Sequence, residues 1–278
     1  MIVPPKTLQK HYTKIVGIIQ ILCIINTLET RIFMQLQPIL KAIRTADQDF
    51  GLIQPKDKIA VALSGGKDSM LLFLALKMYQ RFDSTDFELV GIHVDVGFED
   101  FEHDKMKKFA KKYDLELHIV KTDIFNILKL EKNMKNNVIQ CSLCSTLKKG
   151  VLFEKAKELG CNSVALGHHA DDAIETLLLN MIHGSKIATF QPKQYMSRID
   201  MNMIRPMVYL KEKEIIQYAQ INDVPSVKRV CPNDGFTQRQ EAKELLNLLY
   251  EKYPEAQDNF LHSLYNQKQI SLWKKETK

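Results

Sequence analysis

Asp57-Lys58-Ile59-Ala60-Val61-Ala62-Leu63-Ser64-Gly65-Gly66-Lys67-Asp68-Ser69-Met70-Leu71-Leu72-Phe73-Leu74-Ala75-Leu76-Lys77-Met78 decides how this chain folds. Asp57 to Leu63 is a short, nearly continuous apolar run, the pattern of a strand buried on both faces. From Met70 onward the stretch is too long and too rich in Leu and Met for a strand, and it reads as a buried helix. The junction is therefore strand, Ser/Gly turn, helix N-terminus. Adjacent glycines let the backbone come close to a ligand, and N–H groups at the helix start attract an anion. Ser64 and Ser69 add hydroxyl donors and Lys67 a full positive charge, a set that suits a phosphate or pyrophosphate. The glycines lie closer together than in the GxxxxGK[ST] loop. A tight turn with a serine cap is the plainer alternative.

The chain has 278 residues, 45% hydrophobic and 26% charged, enough for one sizeable core and a smaller appendage. Its net charge of +6 is compatible with a nucleic-acid partner without requiring one. Five cysteines, an odd number, do not form a secreted disulfide framework and fit a reducing cytoplasm in which thiols serve a metal or chemistry.

Residues 1–33 read as an extension outside the core. Lys6, Lys10 and Lys14 precede an apolar run, Ile15 to Ile25, that is too short to span a bilayer and lacks a cleavage site. A membrane-surface helix is the alternative there. A core domain at 34–225 opens on an amphipathic helix from Met34 to Phe50, and 226–278 reads as a C-terminal loop and helical segment packed on it. Further strands at Phe87–Val94, Leu115–Val120 and Ser163–Gly167 alternate with helices. The expected fold is α/β, a doubly wound, mostly parallel sheet flanked by helices, with ligands at the carboxyl ends of the strands. A helix from Asp100 to Tyr113 carries Lys105, Lys107, Lys108, Lys111 and Lys112, a solvated face first and a nucleic-acid contact second.

Two more constellations carry chemistry. Gly167-His168-His169-Ala170-Asp171-Asp172-Ala173-Ile174-Glu175-Thr176 follows the fourth strand and enters a helix placed at Thr176–His183. Asp171 and Asp172 suit a helix start, and they also suit Mg²⁺ bridging ATP phosphates. Cys141-Ser142-Leu143-Cys144 precedes a helix from about Thr146 to Leu159. Without a second CxxC a zinc ribbon is excluded, and the pair lies too deep in the α/β pattern for a thioredoxin-like site. Cys23 belongs to the extension and Cys161 precedes a buried strand. Cys231 lies in a polar loop that can fold back on the CxxC; three thiolates favour an iron–sulfur cluster or zinc, and on a cubane they leave one iron open.

The SGGKDS run resembles the SGGxDS loop of the PP-loop ATP pyrophosphatase superfamily, whose members adenylate a carbonyl-like oxygen and release pyrophosphate. GHHxDDxxET is a recurring second signature. With CSLCSTLKKGVLFEKAKELG, RPMVYLKEKEI and TQRQEAKELL in order, from about Leu36 to Ser263, the chain resembles the tRNA 2-thiocytidine synthetase family. That resemblance implies an ATP-dependent tRNA sulfurtransferase. It would adenylate C2 of the anticodon-loop cytidine at position 32 and replace the oxygen with sulfur through a [4Fe–4S] cluster. Carried over by motif, the cluster ligands are Cys141, Cys144 and Cys231. ATP contacts fall on Ser64, Gly65, Gly66, Lys67, Asp68, Ser69, His93, Gly167 and His168. Lys67, Asp68, Asp171 and Asp172 are the implied catalytic residues, with Mg²⁺ on Asp171 and Asp172, and Lys148, Lys149 and Arg205 along the tRNA backbone. A sulfur donor such as a cysteine desulfurase, a homodimer, a cytoplasmic location and no membrane partner complete the expectation. The chain departs from the family where Cys231-Pro232-Asn233-Asp234 replaces a second CxxC, so that Asp234 becomes a candidate for the fourth iron. The alternatives are a uridine 2-thiolating or lysidine-type enzyme, or an iron–sulfur nucleotide sensor that transfers nothing.

Overall fold

In a computed structural model, which describes residues 30–82, 85–98, 100–130, 141–227, 231 and 238–273, β1 (Lys58–Ala62) takes parallel partners along both edges. One is β2 (Glu88–Asp95) and the other is β4 (Ser163–Ala165). With β3 (Leu117–Lys121), β5 (Lys193–Met196) and β6 (Met201–Ile204), the sheet runs β3-β2-β1-β4-β6-β5. β5 pairs antiparallel with β6, and the other pairings are parallel. The doubly wound, mostly parallel sheet read from the motifs is the sheet found. β5 and β6 were not foreseen: each spans four residues, and Lys193-Gln194-Tyr195-Met196 has no apolar run to read.

Alternation along β1 builds two layers. Ile59 and Val61 point into a core shared with a first helix, α1 (30–50), and with α2 (Lys67–Phe82), α3 (His103–Lys112) and α7 (Glu212–Ile221). Ala60, Val90, Ile92 and Val164 face Leu152, Phe153 and Ala156 of α5 (Cys141–Glu158) on the other side. A short α4 (Ile124–Leu130) precedes α5. The C-terminal helices α8 (Gln238–Lys252) and α9 (Ala256–Ser263) pack against α6 (Ala170–Gly184).

Three boundaries differ from the reading of the sequence. α1 is already helical at residue 30, ahead of Met34, because Ile32 is buried in the core and the Phe33 ring lies 4.1 Å from Phe82. α5 begins at Cys141, so the CxxC is part of the helix. α6 begins at Ala170 rather than Thr176: extended His169 donates its N–H to Asp172 Oδ2 (3.0 Å) in a capping box, and the helix starts at the aspartate pair. Residues 1–29 of the expected extension, with Cys23, and the proposed iron ligand Asp234 lie outside the described residues. Among those described, no helix is long and apolar enough to cross a membrane.

Gly91 of β2 sits opposite Val61, where a Cβ would fall 2.6 Å from Phe73 Cε1 and 2.7 Å from Leu63 Cδ1. Gly91→Ala therefore destabilises the protein by about 1–3 kcal/mol in a denaturant titration. Unchanged stability would mean that α2 does not bear on the sheet as closely as it does here.

Candidate active site

The first loop is wound around two hydroxyls. Leu63 N–H closes the end of β1 on Ile92 O (2.8 Å). Ser64 Oγ then accepts from Gly66 N–H (3.2 Å), and Ser69 Oγ accepts from Ser64 N–H (3.2 Å) while donating to Gly66 O (3.0 Å). Gly65 takes φ +85°, and a Cβ there would lie 2.8 Å from Phe101 and 3.2 Å from Val227. No other residue type fits without displacing both neighbours. α2 starts immediately after, at Lys67, so its unpaired N–H groups open at this turn. The second loop packs directly against the first, since a Cβ on Gly167 would lie 3.0 Å from Ser69 N.

Between the loops is a cleft of about 540 Å³. Ser64, Gly66, Asp68, Ser69, Gly167, His168 and Asp172 line it, and so do His93, Ser145, Lys148, Lys149 and Cys231. The phosphate-type loop and the cysteine-bearing segments thus share one cavity.

Lys67 Nζ lies 3.0 Å from Asp68 Oδ1 and 3.2 Å from Glu212 Oε1. Burial alone would lower its pKa, but the two carboxylates outweigh burial and hold the ammonium above the ordinary lysine range. Glu212 also bonds Lys243, and its N–H donates to Asp171 Oδ2 (2.7 Å). Burial works against the Asp171 carboxylate, yet His169, the Glu212 N–H and Gln257 hold it below its usual range. Asp172 Oδ1 is 2.7 Å from Arg239 Nη1.

The histidines bordering the cleft are neutral at physiological pH. Burial pushes His168 down to about 4, and its ring lies 5.1 Å from that of Phe190. Burial also lowers His93, whose Nδ1 lies 2.8 Å from Leu63 O and, in the neutral ring, donates to it; the ring stacks on Phe101 at 4.6 Å. His93 Nε2 and His168 Nδ1 are buried without a hydrogen-bond partner among the described residues. Orphaned polar atoms beside a cleft fit a polar ligand there.

Cys141 and Cys144, three residues apart in the first turn of α5, share one face of the helix. Burial pushes the Cys144 thiol up; Lys148, one turn on, opposes this, and nearby Cys231 and Cys141 add to it. The three sulfurs are thus electrostatic neighbours, with Cys231 lining the cleft and Cys141 and Cys144 just outside its lining. Among the described residues no three metal-ligating side chains are drawn up around a single ion. A cubane takes each thiolate on a different iron, so its ligands stand farther apart than those of one ion, and this donor set fits it. Cys161 is a packing residue as read: burial pushes it up to about 11.

The aspartate pair divides. Both carboxylates are engaged, Asp172 by the His169 N–H and Arg239 and Asp171 by Glu212 and Gln257, but Asp172 lines the cleft and Asp171 does not. Arg205 is corrected outright. It is 5% exposed, donates to Gln191 O and lies 4.8 Å over the Phe190 ring, so it supports the sheet end and is out of reach of an RNA backbone. On α3, Lys105 and Lys107 pair with Glu102 and Asp104, the solvated face expected. Glu212, Arg239, Lys243 and Gln257 were missed. The first three lie within RPMVYLKEKEI and TQRQEAKELL, stretches noticed for their resemblance and not for their chemistry.

A family model for the PP-loop domain matches residues 30–228. A Geobacter sulfurreducens protein named tRNA-cytidine(32) 2-sulfurtransferase is 37% identical over 230 residues, 82% of this chain and 89% of its own. Namesakes from Nitrosospira multiformis (36% over 227 residues; 81% and 76%) and Syntrophotalea carbinolica (35% over 240; 86% and 91%) are similar to the same extent. Among solved structures, the U34-tRNA thiolase NcsA of Methanococcus maripaludis, with its [4Fe–4S] cluster, shares the fold. Its TM-score is 0.66 at 22% identity, over 84% of this chain and 80% of that one.

Glu175, behind the cleft on α6, supplies a pH test. Burial first, then Asp172, pushes its carboxyl up to about 7 from the usual 4.5, against Arg239 and Lys243. The folded protein keeps a proton that the unfolded chain has lost, so this group's contribution to stability falls as pH rises from 4.5 through 7. Glu175→Gln should be more stable than the parent at about pH 8, by about 1–3 kcal/mol, with the gap closing toward about pH 4.5. A pH-independent difference in denaturation midpoints would refute the burial argument.

Proposed function

This chain belongs to the PP-loop domain family and, within it, to the tRNA-cytidine(32) 2-sulfurtransferases, and from that premise we propose that it uses ATP to exchange the C2 oxygen of a tRNA cytidine for sulfur. The observation that carries this reading is the single cleft lined both by Ser64, Gly66 and Ser69 and by Cys231, with Lys148 and Lys149 of α5 lining it from the exposed side.

The pyrophosphate portion of ATP rests on Ser64, Gly65, Gly66, Lys67 and Ser69, with Asp68 holding Lys67 in place. His93, Gly167 and His168 contact the rest of the nucleotide, the histidines as neutral donors or acceptors. The cytidine C2 oxygen attacks the α-phosphorus. A P–O bond forms to the base, the α–β bridging bond breaks, and pyrophosphate leaves with the electron pair. Lys67 and the N–H groups opening α2 stabilise the charge that develops on the leaving group. The C2–O bond then breaks as C2–S forms, releasing AMP. Asp172, which lines the cleft, is the better Mg²⁺ candidate of the pair, and would exchange Arg239 for the metal on Oδ1; Asp171 anchors the loop that carries it.

Cys141, Cys144 and Cys231 hold a [4Fe–4S] cluster, which when bound supplies an iron open to the sulfur to be transferred. Lys148 and Lys149 steer the RNA backbone toward that corner, with the target base splayed from its loop. Residues 34–225 form the ATP domain and 226–278 carry the last cluster ligand. A cysteine desulfurase replenishes the sulfur as a persulfide, a thiol reductant supplies the two electrons that bring it to the sulfide level, and the enzyme works in the cytoplasm as a homodimer.

Anaerobically purified protein should contain about four irons with matching sulfide per chain. Cys231→Ala should lose them, together with ATP-dependent formation of 2-thiocytidine in tRNA. Stoichiometric zinc, or a full complement of iron in Cys231→Ala, would refute the ligand assignment and leave the ATP site standing.

A further inference from the structure

The nucleotide end of the cleft gathers carboxylates where a polyanion has to bind. Asp68 and Asp172 line the cleft, Asp171 and Glu212 stand just behind them beside the protonated Glu175, and the phosphate-type loop itself contributes Lys67. The missing positive charge comes from α8. Arg239 Nη1 lies 2.7 Å from Asp172 Oδ1 and 3.6 Å from Glu175 Oε2, and Nη2 donates to Thr176 Oγ1 (3.3 Å). Lys243, four residues on and hence on the same face of the helix, bonds Glu212 Oε2, whose Oε1 holds Lys67 at 3.2 Å.

We propose that α8 is the counter-charge clamp of the nucleotide site. Arg239 and Lys243 are positioning residues that neutralise Asp172 and Glu212, so that ATP enters an attractive pocket with Lys67 presented to its phosphates. The proposal rests on the reading of Ser64–Ser69 as the ATP loop. The two cations act on different partners and so leave different signatures. Without Arg239, Asp172 keeps the His169 N–H (3.0 Å) and ring Nε2 (3.4 Å) on Oδ2 but loses the cation on Oδ1, and a divalent cation carried by ATP takes over that neutralisation. Without Lys243, Glu212 keeps its whole charge for Lys67 and draws that ammonium back from the phosphates, a defect that a metal on Asp172 does not repair.

The test is equilibrium binding of ATP to the full-length protein, without tRNA, in EDTA and in excess Mg²⁺. Arg239→Gln should weaken binding by about tenfold in EDTA and by less than about threefold with Mg²⁺. Lys243→Gln should weaken it by about five- to tenfold in both buffers. Arg239→Lys and Lys243→Arg, which keep the charge, should recover most of each loss, with melting temperatures close to the parent's. Binding within about twofold of the parent for both glutamine variants would overturn the clamp. So would equal losses in the two buffers for Arg239→Gln, unrescued by Arg239→Lys and following the melting temperature, since this is what a merely structural role predicts. Failure of the parent to bind ATP would remove the site reading itself and the clamp with it, whereas failure of thiolation alone touches neither.

Discussion

β1 is hydrogen-bonded along both edges to parallel strands that the chain reaches in opposite senses. It leaves β1 through α2 on one face, and it arrives at β4 through α5 on the other. The connections diverge at the carboxyl ends of these two strands, and a crevice opens there by topology alone. Everything chemical in the molecule hangs on that divergence. Ser64–Ser69 and Gly167–Asp172 are the two lips of the crevice, pressed together where Gly167 has no side chain to hold Ser69 away.

The Ser64–Ser69 loop is made from main chain, two hydroxyls and one ammonium, but its surroundings are acidic. Such a site is stable because each carboxylate has a named partner: Asp171 takes the Glu212 N–H and Gln257, Asp172 takes Arg239, and Glu212 takes Lys67 and Lys243. Glu175 meets its burial instead by keeping a proton. Rigidity at the lips therefore comes from ion pairs supplied by the last helices of the chain, and the apolar core below supplies the platform.

The strand–loop–helix at Lys58–Ser69 was legible because its signals are local: apolar run, paired glycines, serine, lysine and helix-forming residues follow one another without a gap. The parallel order followed from alternation, and the approach of Cys231 to the CxxC from its place in a polar loop after the last helix of the core. What escaped depends on distance in the chain. Nothing near Asp171 reveals that Glu212 and Gln257 will occupy it while neighbouring Asp172 faces the cleft. Arg205 looks like any surface cation until β6 places it against Phe190. The helix starts at Cys141 and Ala170 were hidden because Cys, Ser, His and Asp are weak helix formers whose neighbours decide their state.

Val227 donates its N–H to Gly65 O at 2.8 Å, so the segment that carries Cys231 is stitched to the phosphate loop four residues before the thiol. Four residues reach at most about 14 Å, so covalent chain length alone keeps Cys231 within that distance of the contact with Gly65. Exchanging a side chain in this interval leaves that tether unchanged, whereas each inserted residue loosens it by about 3.5 Å.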